Sequence, residues 1–217
     1  MVRNIVLLTA NNISRRFNPK THVKSNIKYI TYDYANIASL HELITLIDNS
    51  LRSSYTIHRL GIMYHNEHDN TIKLFNKDKQ RDINLFDDFN DFICFVYALK
   101  SKYGIQQFDI ISSYVSCQYN ILSPYIYEKT GVNVNMSSGD IGKRGNWVLE
   151  NGNVPLSGLY FYSFVKKLDV DLGSQSQPDE VNKLEDNIGE VCRIGCVDQN
   201  KWNEIRDWYK EVNKNKG

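Results

Sequence analysis

The sequence predicts an α/β protein with a mainly parallel sheet and helices on both faces. Short, nearly continuous apolar runs of strand length recur along it, and segments with helical spacing alternate with them. Polar or glycine-bearing turns separate the two kinds of segment, as expected when crossover helices join neighbouring parallel strands. A length of 217 residues suits one well-buried core with an appendage. The expected organisation is an α/β domain over 1–165 and a helical C-terminal extension over 166–217, packed on or near it.

The first two strands are Asn4 to Thr9 and Ile27 to Tyr32, both apolar enough for burial on two faces. Between them lies a polar, basic stretch with Arg15, Arg16 and Pro19. Leu40, Leu43, Ile44, Ile47 and Leu51 then fall at helix spacing, with Asn36 and Ser39 as candidate caps. The third strand follows and stops at His65. Asn70 to Lys79 alternates at Ile72 and Leu74 and suggests a small hairpin. Asn84 to Tyr103 places Leu85, Phe89, Phe92, Val96 and Leu99 on one stripe, and Gly104 is a candidate left-handed cap. The fourth strand is expected over Phe108 to Ser116. A helix opening at Ser123-Pro124, with proline at its first position, closes at Thr130-Gly131 before a fifth strand, Val132 to Met136. Beyond Glu150 come an aromatic-rich run at Leu159 to Val165, a polar linker at Gly173 to Gln177, and helical patterns at Pro178 to Ile188 and Gln199 to Val212.

Lys and Arg number 26 against 25 Asp and Glu, a formal charge of +1, so the global charge indicates no nucleic-acid or anionic-membrane partner. No apolar run approaches the roughly 18 residues of a spanning helix, and Met1 to Thr9 reads as a strand, not a signal peptide. Cys94, Cys117, Cys192 and Cys196 show no disulfide-framework spacing, which points to a reducing, intracellular setting, a virion included. Arg15, Arg16, Lys20 and Lys24 form a basic cluster without interleaved aromatics, expected to be a solvated loop.

His65 and Cys117 each follow a strand-like run, and each is succeeded by a polar loop. Loops leaving the carboxyl ends of parallel strands are where α/β proteins bind ligands. A thiol near an imidazole is the pairing that cysteine peptidases need, with backbone N–H groups beside the nucleophile as oxyanion donors. The separation of 52 residues (117 − 65), His first, fits one crossover helix between adjacent strands. Taken singly, Cys117 also reads as a buried structural thiol, and His65 as a polar residue ending a strand. His65-x-x-His68 with Asp69, and Cys192-x-x-x-Cys196, are loose for metal ligation, so no metal or cofactor is expected.

The order of His and then Cys at successive strand ends resembles the caspase and gingipain clan of cysteine peptidases, in which caspases place the His roughly 50 residues before the Cys. The closer resemblance is to a caspase-like domain of unknown function near the N-termini of very large bacterial surface adhesins. It rests on Met63-Tyr64-His65-Asn66, Val115-Ser116-Cys117-Gln118, Ser137-Ser138-Gly139-Asp140-Ile141-Gly142 and, most specifically, Arg144-Gly145-Asn146-Trp147-Val148-Leu149-Glu150. It covers residues 1 to about 150. Asn66 and Ser116 stand where that family keeps glycine, which permits positive φ and close backbone approach.

The resemblance implies a caspase-like three-layer sandwich and a cysteine endopeptidase with Cys117 as nucleophile and His65 as base. Asn66, Ser116 and Asp140 would line the substrate site, Asp140 selecting a basic side chain, though a turn aspartate is the plainer reading of Asp140. The other reading, from a different class, is a catalytically silent structural or protein-interaction module, such as a component of a larger assembly. Either way the expected partner is a peptide or protein.

Overall fold

The computed structural model describes residues 2–9, 17–51, 56–66, 71–77, 81–84, 89–115, 119–173 and Asp207. Five strands form one wholly parallel sheet: β1 (Val2–Thr9), β2 (Lys28–Tyr32), β3 (Thr56–Met63), β6 (Gln107–Ile111) and β7 (Asn133–Asn135). Their order across the sheet is β2-β1-β3-β6-β7. Leu7 lies opposite both Ile30 and Ile62, and Ile62 opposite Ile110, so one row of aliphatic side chains crosses four strands. The hairpin expected after the third strand is β4 (Thr71–Lys77) with β5 (Arg81–Asn84), and a second, shorter one joins β8 (Val148–Leu149) to β9 (Val154–Pro155).

Three helices occupy crossovers: α1 (Leu40–Leu51), α2 (Phe89–Tyr103) and α3 (Tyr119–Thr130). Their buried residues, among them Leu43 and Ile47, Phe95 and Leu99, Leu122 and Ile126, all join one core with Ile5, Leu7, Leu60, Ile62, Phe108 and Ile110. These three helices therefore lie on one face, while the other carries short helical turns, among them Leu156–Leu159 and Ser163–Lys167. Right-handed crossovers account for this. The steps β2 to β3, β3 to β6 and β6 to β7 run in one direction across the sheet and put their helices on one side. Only β1 to β2 runs the other way, and the described part of that connection contains no helix longer than the turn Pro19–Thr21.

An irregular layer covers the opposite face. Phe17, Val23, Ile27, Ile141, Trp147, Leu149, Val154, Leu156, Tyr160, Phe161, Val165, Val170 and Leu172 pack there on Val6, Leu8, Met63 and Ile111. Residues 166–173 thus belong to this layer. The rest of the segment expected to be a helical extension lies outside the described residues, apart from exposed Asp207.

A buried polar network crosses the same face. Asp109 accepts hydrogen bonds from Asn135 Nδ2 (2.6 Å) and the Tyr160 hydroxyl (2.7 Å), and Arg59 Nη1 lies 3.3 Å from its carboxylate. Burial raises the Asp109 pKa, against the opposing pull of Arg59, Asn135 and Tyr160. Gly61 sits opposite Asp109, and a Cβ there would lie 2.9 Å from Tyr160 Cζ, so the missing side chain leaves room for the tyrosine to reach the carboxylate.

Local chemistry sets the helix ends. Ser39 Oγ accepts from Glu42 N (3.3 Å) while Glu42 Oε2 accepts from Ala38 N (2.8 Å), a variant of the capping box that opens α1. Gly104 closes α2 at φ 75°, with its N–H donating to Lys100 O (2.8 Å). The third helix begins at Tyr119, four residues earlier than expected, and encloses Pro124. The carbonyl that loses its donor to the proline belongs to exposed Asn120, so the cost at that position is small.

Candidate functional site

The carboxyl ends of β3 and β6 define the region where the sequence places its candidate residues. The strand β3 stops at Met63, and Tyr64, His65 and Asn66 follow. The strand β6 stops at Ile111, not near Ser116. The cause is hydrogen bonding to distant chain: Ser112 Oγ donates to Leu172 O (2.8 Å), and Ser113 N donates to the same oxygen (3.1 Å). Ser113 Oγ in turn accepts from Ile141 N (2.8 Å). Tyr114 then adopts φ 51°, a left-handed conformation uncommon outside glycine, and its N–H donates to Gly139 O (3.1 Å). Ser116 and Cys117 lie outside the described residues, as do His68, Asp69, Cys192 and Cys196.

Into the gap between the two strand ends runs the segment Asp171-Leu172-Gly173. Asn66 N donates to Leu172 O (3.0 Å), so that one carbonyl accepts from three groups on the two strand ends. Asn66 is wholly buried, and its Nδ2 donates to Ser113 O (3.2 Å) and Tyr114 O (3.0 Å). Gly173 forms an isolated bridge with Asn66. A Cβ on Gly173 would meet Asn66 O at 3.0 Å and Ser113 O at 3.1 Å, so only glycine passes here without displacement.

Four polar side chains surround His65 and its neighbourhood. His65 Nε2 lies 3.8 Å from Asp171 Oδ2. Lys143 Nζ bridges Asp171 (3.5 Å) and Asp140 (3.0 Å). Partial burial alone would lower the Lys143 pKa, but Asp140 and Asp171 outweigh it and the pKa is raised. The Tyr114 phenol is raised by burial and then by Asp140.

Of the expected site residues, the structure brings His65, Asn66 and Asp140 to one end of the sheet. It gives Asn66 a closing contact and pairs Asp140 with the chain's own Lys143. Tyr114, Lys143, Asp171 and Leu172 were not anticipated from the sequence. The last two stand immediately before Gly173 to Gln177, the stretch read as a linker.

The Trp147 motif supports this end of the sheet from below. Trp147 is wholly buried, its ring 5.5 Å from that of Phe161 and 5.9 Å from that of Phe17. Glu150 Oε2 accepts from Ser138 Oγ (2.6 Å) and N (3.2 Å), tying down the loop after β7.

No protein-family model, curated protein or solved structure matches the chain. Among the described residues no helix is long and apolar enough to cross a membrane.

Proposed function

We propose that the chain is a caspase-like α/β module that acts through protein binding, with its ligand crevice closed by its own chain. The observation that carries this reading is the Leu172 carbonyl, which accepts from Asn66, Ser112 and Ser113 in the gap a substrate backbone would otherwise enter. A peptide substrate would have to displace the segment and supply its own carbonyl to two buried amides, each of which would cost about 1–3 kcal/mol if left unpaired.

One observation favours a second reading, a Cys-His peptidase. A carboxylate beside an imidazole is how such a base is oriented, and Asp171 stands 3.8 Å from His65 Nε2. In that reading His65 takes the Cys117 proton and the thiolate attacks the scissile carbonyl carbon; the C–N bond breaks as His65 returns the proton to the leaving amine, and water then hydrolyses the thioester to release the acid and restore the thiol.

Labelling with a peptide bearing a thiol-reactive electrophile separates the two. The silent module predicts equal Cys117 labelling in wild type and His65→Ala, in a background where exposed Cys94 is replaced by Ser. Labelling of Cys117 that falls tenfold or more in His65→Ala supports the peptidase and overturns the first reading.

A further inference from the structure

Over residues 17–27 and 140–173 the irregular layer carries six cations, Lys20, Lys24, Lys143, Arg144, Lys166 and Lys167, against four carboxylates, Asp140, Glu150, Asp169 and Asp171. Lys143 is paired at the sheet end, and Lys24 Nζ donates to Gly158 O (2.7 Å). Lys20, Arg144, Lys166 and Lys167 are exposed and have no carboxylate within ion-pair distance among the described residues.

The same segments expose aromatic rings. Tyr162 and Phe164 are 39% and 47% exposed, and their rings lie parallel within 11° at 5.8 Å. The His22 ring stands 5.4 Å from that of Phe164, tilted by 52°. Backbone pairing brings the parts together: Tyr162 N donates to His22 O (2.9 Å), and Val23 bridges Phe161. The turn Lys143–Gly145, which bears Arg144, packs on the turn Ser163–Lys167, which bears the two lysines.

From this surface we infer that the irregular layer binds single-stranded nucleic acid, with bases stacking on Tyr162 and Phe164 and phosphates meeting Lys20, Arg144, Lys166 and Lys167. Aromatic platforms flanked by cations are the recurring means of holding an unpaired strand. Unpaired cations call for an anionic partner, and an exposed parallel pair of rings continues most naturally with another planar ring. A bilayer surface engages aliphatic as well as aromatic side chains, and among the described residues none of the large exposed hydrophobic residues is aliphatic. An acidic peptide would use the cations and leave the rings idle.

The test is fluorescence anisotropy with labelled twelve-nucleotide oligo-U and oligo-dT on the full chain, competed by duplex of the same length and by vesicles containing phosphatidylserine. The inference predicts binding to one or both single strands, weakened about tenfold by Tyr162→Ala with Phe164→Ala. Lys166→Glu with Lys167→Glu should weaken binding and lower the salt slope by about 0.7 per lost phosphate contact. Phe164→Tyr, which keeps a stacking ring, and Tyr127→Ala, on the helical face, should bind as wild type. All substituted residues are exposed, so unchanged thermal melts exclude misfolding as the cause. No binding to either oligomer overturns the inference. So does stronger competition by duplex or vesicles than by unlabelled single strand, or full binding by the doubly aromatic variant.

Discussion

His65 Nε2 lies 3.8 Å from Asp171 Oδ2, so the imidazole that ends the third strand faces a carboxylate from the segment that crosses the strand ends. The same aspartate keeps Oδ1 within 3.2 Å of Gly173 N and 3.5 Å of Lys143 Nζ. Histidine, lysine and strap are thus coupled through one side chain. Asp171→Asn should leave the Leu172 contacts in place while removing the charge that faces His65. The expected outcome is a loss of at most about 1 kcal/mol in urea unfolding, because the aspartate is half exposed and Lys143 keeps Asp140 as a partner. A loss above about 3 kcal/mol would contradict this and show that the strap is held chiefly by the Asp171 charge.

Gly173 passes between two carbonyls at φ 154°. Gly173→Val should destabilise the fold by about 1–3 kcal/mol through strain at that position. Urea unfolding monitored by tryptophan fluorescence measures it, since Trp147 is buried in the layer that holds the strap.

Gly61→Ala places a methyl against the Tyr160 ring and should cost about 1–3 kcal/mol, as overpacking does. Tyr160→Phe keeps the packing but removes a hydrogen bond from buried Asp109, costing about 1–3 kcal/mol. Combining the two substitutions should cost less than the sum, because both act on one contact. Denaturant midpoints of the three variants form the cycle.

The Asp109 carboxyl is raised by burial, so the folded state holds its proton at a pH where the unfolded chain, with a pKa of about 3.9, has released it. The stability this group contributes is therefore fully present below the unfolded pKa. It is lost as pH rises through the folded value. Melting temperatures of wild type minus Asp109→Asn should accordingly fall from pH 3 upward and then level off. A difference that rises with pH over this range would mean that Arg59, Asn135 and Tyr160 outweigh burial.

Much of the sheet was legible because its signal is local. Apolar runs at 4–9, 27–32 and 132–136 needed no partner to be recognised, and Ser39 with Glu42 and Gly104 marked helix ends through their own chemistry. What escaped depends on contacts between distant residues. The end of β6 at Ile111 is set by an acceptor sixty residues away, Leu172, so apolar continuity through Val115 overstated the strand. The shared face of the helices follows from strand order, which periodicity does not encode. The basic cluster around Lys20 looked bare of aromatics because Tyr162 and Phe164 arrive from some 140 positions further on. His65 was placed correctly at a strand end, but nothing nearby announced Asp171 as its neighbour.

Amide hydrogen exchange at Asn66 and Ser113 tests most directly whether the crevice is closed from within. Both N–H groups donate to Leu172 O, at 3.0 and 3.1 Å. A closed crevice predicts exchange as slow as that of Ile62 and Ile110 in the central strands, and faster exchange at both positions in Gly173→Val. Exchange of the wild-type amides at the rate of an unstructured chain would contradict closure and reopen the gap between β3 and β6 to a substrate.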